Sequence, residues 1–213
     1  MMRRISLLLI FGLLLSTPGV AFAETGTPIY VGDSFGTNGR CTVGAAVPGG
    51  FVTSGTCGSP GETVRAANGA VVGTVRASTH PIPSSAWVSV TSAWEPVGVL
   101  RVPGGRDLPV RGSTPVPVGS QVCGFGGTTG WRCGTLLGRN ASLSLPQGTV
   151  TGLLVTSICF EPGTPPGSPL YANGQLQGIL LGFSGNCSAG GRSYYVPINE
   201  ILRRYGLTLL TSP

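Results

Sequence analysis

Short runs of apolar and β-branched residues recur along the chain, and clusters of Gly, Pro and Ser separate them. Runs of this length between turn-forming residues are typical of β-strands. The pattern predicts strands at residues 41–45, 50–53, 70–75, 86–90, 108–111, 121–125, 131–136, 149–156, 175–183 and 193–196. Many short strands of this kind indicate an all-β sandwich or barrel. Residues 112–119, rich in Pro and Gly, are predicted to cross between two halves.

One segment near the C-terminus has the period of a helix instead of a strand. Its apolar positions follow the spacing i, i+3, i+4 and i+7, which places them on one face: Ile198, Ile201, Leu202 and Tyr205. Pro197 suits the first turn of a helix, and Gly206 suits its end. We expect this helix to pack on the second half of the chain as a cap.

The N-terminal residues 1–23 have the pattern of a secretion signal. Two arginines precede an apolar run at 5–15, which is shorter than the roughly 20 residues that a membrane helix needs. Ala21-Phe22-Ala23 matches a signal-peptidase cleavage motif. Cleavage after Ala23 would leave an exported chain that starts at Glu24. No later stretch is apolar enough to predict a membrane anchor.

The composition agrees with a β-rich chain, because 36 glycines and 18 prolines among 213 residues disfavour helices. This length suffices for one or two domains with a hydrophobic core. The net charge of +6 comes from scattered arginines. The sequence has no basic stripe with interleaved aromatic residues, so nucleic acid is not an expected ligand.

Six cysteines in an exported chain predict disulfides rather than thiol chemistry. They form three neighbouring pairs along the sequence, at positions 41 and 57, 123 and 133, and 159 and 187. Six cysteines allow about fifteen connectivities, so the spacing alone leaves the pairing open. Because the cysteines are committed to disulfides and the chain has one histidine, we expect no metal site and no cofactor.

Four segments carry a family resemblance, in order along the chain: 50–57 (GFVTSGTC), 86–92 (AWVSVTS), 127–134 (GTTGWRCG) and 204–209 (RYGLTL). Together they resemble the chymotrypsin-like serine proteases, and in detail the alpha-lytic protease and streptogrisin branch. The resemblance runs from about residue 29 to residue 211. It therefore covers nearly all of the chain beyond the predicted secretion signal.

The resemblance implies two packed six-stranded antiparallel β-barrels with the active site between them and a short C-terminal helix. Residues 24–112 would form the first barrel, and residues 113–213 the second barrel with the helix. The resemblance also implies three disulfides: Cys41–Cys57, Cys123–Cys133 and Cys159–Cys187.

The family's chemistry requires a serine nucleophile, a histidine base and a carboxylate that orients the histidine. The histidine position, just before Cys57, is Thr56, and the aspartate position is Ser84. The nucleophile position, two residues after Gly163, is Pro165. A threonine hydroxyl has no pKa suited to general-base catalysis near neutral pH. The resemblance thus points to a homologue without the triad.

Pro165 also affects the oxyanion hole, in which backbone N–H groups stabilise the developing negative charge. The nucleophile's own amide supplies one of these donors in the family, and Gly163 would supply the other. Proline has no N–H, so one donor is missing. Thr164 stands where the family has an aspartate, so the shape of this loop is also expected to differ.

The strand that pairs with the substrate in the family corresponds to Leu181-Gly182-Phe183, where the family has a serine and then glycine. Backbone pairing with an extended peptide could survive this change. The side chains of Leu181 and Phe183 would partly fill the adjoining pocket. His80 is interpreted as an exposed loop histidine, with the alternative that it borders the cleft and contributes to ligand binding.

Three functions remain open at this stage. The first is a secreted pseudoprotease that binds a peptide or protein in the cleft or its loops, as a monomer. The second is a hydrolase with relocated chemistry, in which the carboxylate of Glu161 takes part in acid–base catalysis. The third is an inert structural exported protein. We expect no membrane association once the signal is removed.

Overall fold

The computed structural model describes residues 26–80, 83–102, 104–105, 107–126, 130–146 and 148–213. The predicted secretion signal, its cleavage point after Ala23 and residues 127–129, the start of the 127–134 segment, lie outside these residues. Within the described ranges, no helix is both long enough and apolar enough to cross a membrane.

The described residues are mostly β-strand, with two short 3-10 turns and one α-helix. The strands are β1 (Thr27–Val31), β2 (Ser34–Gly36), β3 (Arg40–Thr42), β4 (Ala45–Val47), β5 (Gly50–Thr53), β6 (Thr63–Ala66), β7 (Val71–Thr79), β8 (Ser85–Val90), β9 (Trp94–Leu100), β10 (Leu108–Pro109), β11 (Gln121–Gly126), β12 (Gly130–Leu145), β13 (Gly148–Thr156), β14 (Pro169–Ala172), β15 (Gln175–Ser184) and β16 (Arg192–Pro197). The helix is α1 (Ile198–Tyr205).

The strands of the first half form a barrel-like body from two sheets. A seven-stranded sheet has the order β3-β2-β6-β7-β8-β5-β4, and a three-stranded sheet has the order β1-β9-β10. β1 runs parallel to β9, whereas all pairs of the seven-stranded sheet are antiparallel. The prediction of a six-stranded antiparallel barrel is therefore modified here, because the strands are short and divide between two sheets.

The second half forms a closed antiparallel barrel with the strand order β11-β12-β13-β16-β15-β14. This is the six-stranded barrel that the family resemblance implied. β12 and β13 form a long hairpin whose register shifts three times between Leu136 and Leu143. Such shifts bend and twist a strand, which helps a sheet to close on itself. The prediction of a chymotrypsin-like double barrel is confirmed.

Buried apolar side chains form three clusters. One fills the first half, around Phe51 and Val88, and a second fills the closed barrel, around Leu136 and Tyr195. The third joins Val47 and other residues of the first half to residues of the second half such as Leu153. The two halves therefore share a continuous core, which fixes the cleft between them.

The predicted helix is confirmed at residues 198–205. Ile198, Ile201 and Leu202 are buried, and Pro197 precedes the first helical residue. Gly206 ends the helix in a left-handed conformation, with φ of 63°. Beyond the helix, the chain returns to the first half, where the Leu210 N–H donates to the Ala46 carbonyl at 2.9 Å.

The three implied disulfides are all present: Cys41–Cys57, Cys123–Cys133 and Cys159–Cys187. Most predicted strands also have a counterpart, and residues 50–53 match β5 to the residue. Residues 41–45 are not one strand, because the chain bends at Val43 and Gly44 between β3 and β4. A Cβ at Gly44 would come within 2.6 Å of Ile179 Cδ1, so the bend is where the second half packs against the first.

Candidate functional site

Thr56 lies just after β5, in a 3-10 turn formed by Gly55–Cys57. Ser54 begins this turn, and its Oγ accepts a hydrogen bond from the Thr56 N–H at 3.4 Å. Cys57 ties the turn to β3 through its disulfide with Cys41. Gly55 and Cys57 are buried, whereas Thr56 is exposed. The turn thus holds the Thr56 hydroxyl at the surface in a fixed position.

A chain of polar contacts joins Thr56 to the other candidate residues of the first half. Ser54 Oγ lies 3.0 Å from Thr56 Oγ1 and 3.3 Å from Ser84 Oγ. Ser84 Oγ in turn lies 3.3 Å from Nδ1 of His80. Ser84 is 1% exposed, so its hydroxyl satisfies its hydrogen bonding inside the protein. The structure therefore brings Thr56, Ser84 and His80 together, with Ser54 between the two hydroxyl groups.

Pro165 lies in the loop 161–168, which we call the site loop. Pro165 is buried, and its carbonyl accepts a hydrogen bond from Ser168 Oγ at 3.0 Å. Gly167 has a φ of +89°, and a Cβ there would lie 2.2 Å from Thr53 Oγ1 and 2.5 Å from the Thr42 carbonyl oxygen. The site loop therefore packs directly against β3 and β5 of the first half.

The start of the site loop is exposed. Gly163 is exposed with a φ of +91°, and Thr164 donates to the Glu161 carbonyl from its N–H and its hydroxyl. The exposed Glu161 carboxylate lies near the sulfurs of Cys159 and Cys187, which are joined in a disulfide. No ion pair of the described residues involves Glu161. The structure thus gives Glu161 no partner for acid–base chemistry among the residues it describes.

Leu181, Gly182 and Phe183 lie in β15, and all three are half-buried. β16 continues to pair with them, since Gly182 faces Tyr194 across the ladder. On the other side, the pairing of β14 with β15 ends at Ile179. The site loop takes over at Leu180, whose N–H donates to the Ser168 carbonyl at 2.8 Å. The edge of residues 181–183 therefore has no strand partner among the described residues. Leu181 and Phe183 pack partly against the apolar clusters.

Comparison with known proteins gives relatives along most of the chain. Streptogrisin-C of Streptomyces griseus is 45% identical over 188 residues, which are 85% of this chain and 41% of that protein. Serine protease 1 of Rarobacter faecitabidus is 34% identical over 180 residues, 81% of this chain and 33% of that protein. The chain therefore spans less than half the length of these two relatives. No family model matches the sequence.

Solved structures extend the likeness to the whole fold. The Nocardiopsis protease is 41% identical with a TM-score of 0.79, and the alignment covers 87% of this chain and 100% of that one. The Cellulomonas bogoriensis chymotrypsin is 40% identical with the same TM-score and the same coverage. The chain belongs to the chymotrypsin-like serine proteases. An alpha-lytic protease homologue, 34% identical with a TM-score of 0.75, agrees with the alpha-lytic and streptogrisin branch.

This protease homologue has a cavity of about 590 Å³ beside Thr56. We call it the Thr56 cavity, and its lining residues are Thr37, Asn38, Gly39, Arg40, Cys41, Gly55, Thr56, Gly58, Ser59, Pro60, Glu62, Ser78, His80 and Pro166. Pro166 belongs to the site loop, while the others come from the first half. His80 is exposed, as interpreted from the sequence, and it also borders this cavity. Both interpretations of His80 therefore fit its position.

Sequence patterns did not identify Ser54 or Arg40 as parts of the site. Ser54 has no distinguishing mark in the sequence, because its role depends on a contact with Ser84, thirty positions away. Arg40 reaches the cavity because β2 and β3 form a hairpin beside it. No local pattern could have signalled either position, since both depend on the packing of distant segments.

The titratable groups with clearly altered pKa values in the described structure lie outside the Thr56 cavity. Burial raises the pKa of the Asp33 carboxyl, although the Tyr30 N–H and the Arg101 guanidinium favour its ionised form. Burial also raises the pKa of the Tyr195 phenol in the closed barrel. Neither residue lines the Thr56 cavity.

Proposed function

We propose that this exported protease homologue has lost the Ser-His-Asp triad and acts as a pseudoprotease, binding a peptide or protein segment in the cleft between its barrels. The observation that carries the proposal is Pro165, a buried residue at the nucleophile position. It has neither a hydroxyl group nor a backbone N–H. Loss of one oxyanion donor alone costs roughly a hundredfold or more in rate.

In the proposed pseudoprotease, the general base is missing as well. The sequence contains one histidine, His80, and the position just before Cys57 holds Thr56. The buried Ser84 offers a hydroxyl where a carboxylate would orient the imidazole. Each of the three triad steps therefore lacks the group that performs it.

Peptide binding is supported by the open edge of β15. Residues 181–183 have β16 on one side and no strand partner on the other among the described residues. An extended peptide can add a strand to such an edge through main-chain hydrogen bonds. The half-buried side chains of Leu181 and Phe183 would then select for the side chains that fit beside them.

The test of catalysis is an assay of the secreted protein against casein and a peptide library, beside Thr56→Ala and Glu161→Ala variants. We expect no turnover above buffer for any of the three proteins. Turnover that either substitution abolishes would overturn the pseudoprotease proposal.

The test of binding is an NMR titration of the ¹⁵N-labelled protein with extended peptides. We expect the backbone amide signals of residues 181–183 to shift, because a paired strand changes their hydrogen bonding. Peptide binding that leaves these signals unchanged would place the ligand elsewhere and refute the β15 edge. No binding to any peptide would favour an inert exported protein.

A second candidate, relocated hydrolase activity, is favoured by one observation. The imidazole of His80 lies 3.3 Å from Ser84 Oγ, and the hydroxyl chain continues to the exposed Thr56. A relay of this kind would make ester hydrolysis depend on His80, Ser84 and Thr56 together. Hydrolysis of a nitrophenyl ester that His80→Gln and Ser84→Ala both abolish would support this candidate.

Restoring the three triad residues tests whether this fold can still support catalysis. We expect little activity from the triple variant Thr56→His, Ser84→Asp, Pro165→Ser, because Thr164 and Leu181 still differ from the family pattern. Turnover comparable to an active streptogrisin would show that the three substitutions alone removed activity.

The three disulfides support an exported protein, because disulfides persist in oxidising compartments. We propose that the secretion signal is cleaved after Ala23. Mass spectrometry of the secreted protein should then give a chain that begins at Glu24. A different N-terminus would refute the cleavage point but not the export.

A further inference from the structure

A second cavity adjoins the Thr56 cavity, and the charged residues that line it are two arginines. It has a volume of about 410 Å³, and we call it the Gly36 groove. Its lining residues are Ser34, Phe35, Gly36, Thr37, Gly39, Arg40, Arg65, Ala66, Ala67 and Gly69. Three residues line both cavities: Thr37, Gly39 and Arg40. A ligand that occupies the Thr56 cavity can therefore continue into the groove.

The two arginines of the groove lie in one row across three strands. Gly36 of β2 is the ladder partner of Arg40 on β3 and also of Arg65 on β6. Residues in one such row point to the same face of a sheet. Adjacent ladder partners have Cα atoms about 5 Å apart, so the two arginines stand roughly 10 Å apart with a glycine between them. The two arginine side chains therefore flank the groove, and the backbone at Gly36 lies between them.

These arginines lack the carboxylates that usually neutralise them. Arg40 and Arg65 are exposed, and no ion pair of the described residues includes either one. One nitrogen of Arg65, Nη1, donates to the Gly69 carbonyl at 3.0 Å. Arg40 has no side-chain hydrogen bond within the described ranges. A carboxylate above Gly36 would have a guanidinium on either side, and guanidinium groups bind carboxylates in paired hydrogen bonds.

The charge changes toward the Thr56 cavity, where Glu62 lies on the wall. Its Oε1 accepts a hydrogen bond from Asn38 Nδ2 at 3.0 Å, and its Oε2 is buried. This carboxylate would repel an acidic residue placed in the Thr56 cavity itself. Arg40 lines both cavities, but Glu62 opposes it in the Thr56 cavity, whereas Arg65 reinforces it in the Gly36 groove. The attraction for acidic residues is therefore strongest in the groove.

We propose that the Gly36 groove binds acidic residues of a peptide that extends from the cleft, and that Arg40 and Arg65 determine this preference. The proposal rests on the peptide-binding function proposed above. It assigns the ligand as a peptide with one or two adjacent Asp or Glu residues where it leaves the Thr56 cavity.

The test is an NMR titration with three peptides, acetyl-Ala-Ala-Pro-Ala-Xaa-Xaa-Ala-Ala-amide, in which Xaa is Glu, Gln or Lys. We expect the Glu peptide to bind about two- to twenty-five-fold more tightly than the Gln peptide, because each of its two exposed ion pairs contributes up to about a fivefold gain. The side-chain Nε–H signals of Arg40 and Arg65 should shift with the Glu peptide. At about 1 M salt, where the screening length falls to roughly 3 Å, the preference should disappear.

The variant Arg40→Gln/Arg65→Gln should bind the Glu and Gln peptides equally. Arg76→Gln is the matched control, because Arg76 is also an exposed arginine of the first half but does not line either cavity. It should keep the preference for Glu. Equal binding of the Glu and Gln peptides to the unaltered protein would overturn the proposal, and so would a preference for Lys.

The outcomes separate this proposal from the function on which it rests. If the Gln peptide shifts the amide signals of residues 181–183 but the Glu peptide binds no more tightly, the groove proposal fails and the cleft proposal stands. If the Glu peptide shifts only the side-chain signals of Arg40 and Arg65, the groove binds acidic peptides and the cleft proposal fails. Absence of binding by all three peptides overturns both. A sulfated oligosaccharide that binds where the Glu peptide does not would refute a peptide ligand.

Discussion

The contact between the site loop and the first half can be tested at a single glycine. Gly167 has a φ of +89°, and an added Cβ would lie 2.2 Å from Thr53 Oγ1 and 2.5 Å from the Thr42 carbonyl oxygen. The threonine hydroxyl could rotate away, but the carbonyl belongs to the backbone of β3. The substitution Gly167→Ala should therefore force the site loop away from the first half.

Two contributions set the size of the effect. An alanine in the left-handed region costs about 1–2 kcal/mol, and overpacking a close contact costs about 1–3 kcal/mol more. The sum is about 2–5 kcal/mol of unfolding free energy. For a chain of this size, 1 kcal/mol changes the melting temperature by about 2–4 °C, so we expect a decrease of roughly 4–20 °C in thermal denaturation followed by circular dichroism.

Gly163→Ala is the matched control in the same loop. Gly163 has nearly the same φ, +91°, but no atom lies within 4 Å of an added Cβ. It should show only the backbone contribution of about 1–2 kcal/mol. The difference in unfolding free energy between the two variants therefore gives the cost of the steric overlap at Gly167, which is about 1–3 kcal/mol. Equal melting temperatures for the two variants would refute a loop packed against β3 and β5.

Two further predictions concern stability away from the site loop. The Tyr205 hydroxyl donates to the Ser85 carbonyl at 2.8 Å and so links the helix to the first half. Tyr205→Phe removes this hydrogen bond and leaves the Ser85 carbonyl with a longer one from Thr79 Oγ1 at 3.3 Å, so it should cost about 0.5–1.5 kcal/mol in urea denaturation. Tyr194→Phe removes only the contact with Ser184 Oγ at 3.4 Å among the described residues and should cost less; equal costs would argue against the link. The second concerns Asp33, whose folded-state pKa is raised by burial above the ordinary 3.8. A raised pKa means that the folded state retains its proton at higher pH than the unfolded chain. Stability relative to Asp33→Asn should therefore increase as the pH falls through the folded-state pKa toward 3.8, and decrease as the pH rises through the same window. Melting temperatures of both proteins at pH 7 and pH 4 measure this change, and a difference that is constant with pH would contradict it.

The sequence predicted the strands and the helix wherever a local pattern dominated. The apolar spacing from Ile198 to Tyr205 was sufficient for the helix, and the run at 50–53 for β5. Strands β1, β2, β6, β9 and β14 were not predicted, because their residues do not alternate clearly and their pairing comes from distant partners. The parallel pairing of β1 with β9 is of this kind, since it joins segments more than sixty residues apart.

The positions of the candidate site came from the family motifs, but its contacts did not. The motifs placed Thr56, Ser84 and Pro165, whereas only the packing of loops shows that Ser54 bridges Thr56 and Ser84. The row of Arg40, Gly36 and Arg65 is invisible in the sequence for the same reason. It depends on the pairing of β2 with two different strands.

The return of the chain to the first half has a consequence for how the protein acquires its structure. The Leu210 N–H donates to the Ala46 carbonyl, and the Ser212 N–H donates to the Val110 carbonyl at 2.8 Å. The first half therefore obtains these two bonds only after the ribosome has made all six strands of the closed barrel. Pairing between such distant segments slows folding. If the chain is exported as proposed, slow completion of the first half would favour its crossing a membrane before it folds, and the disulfides would then form on the far side.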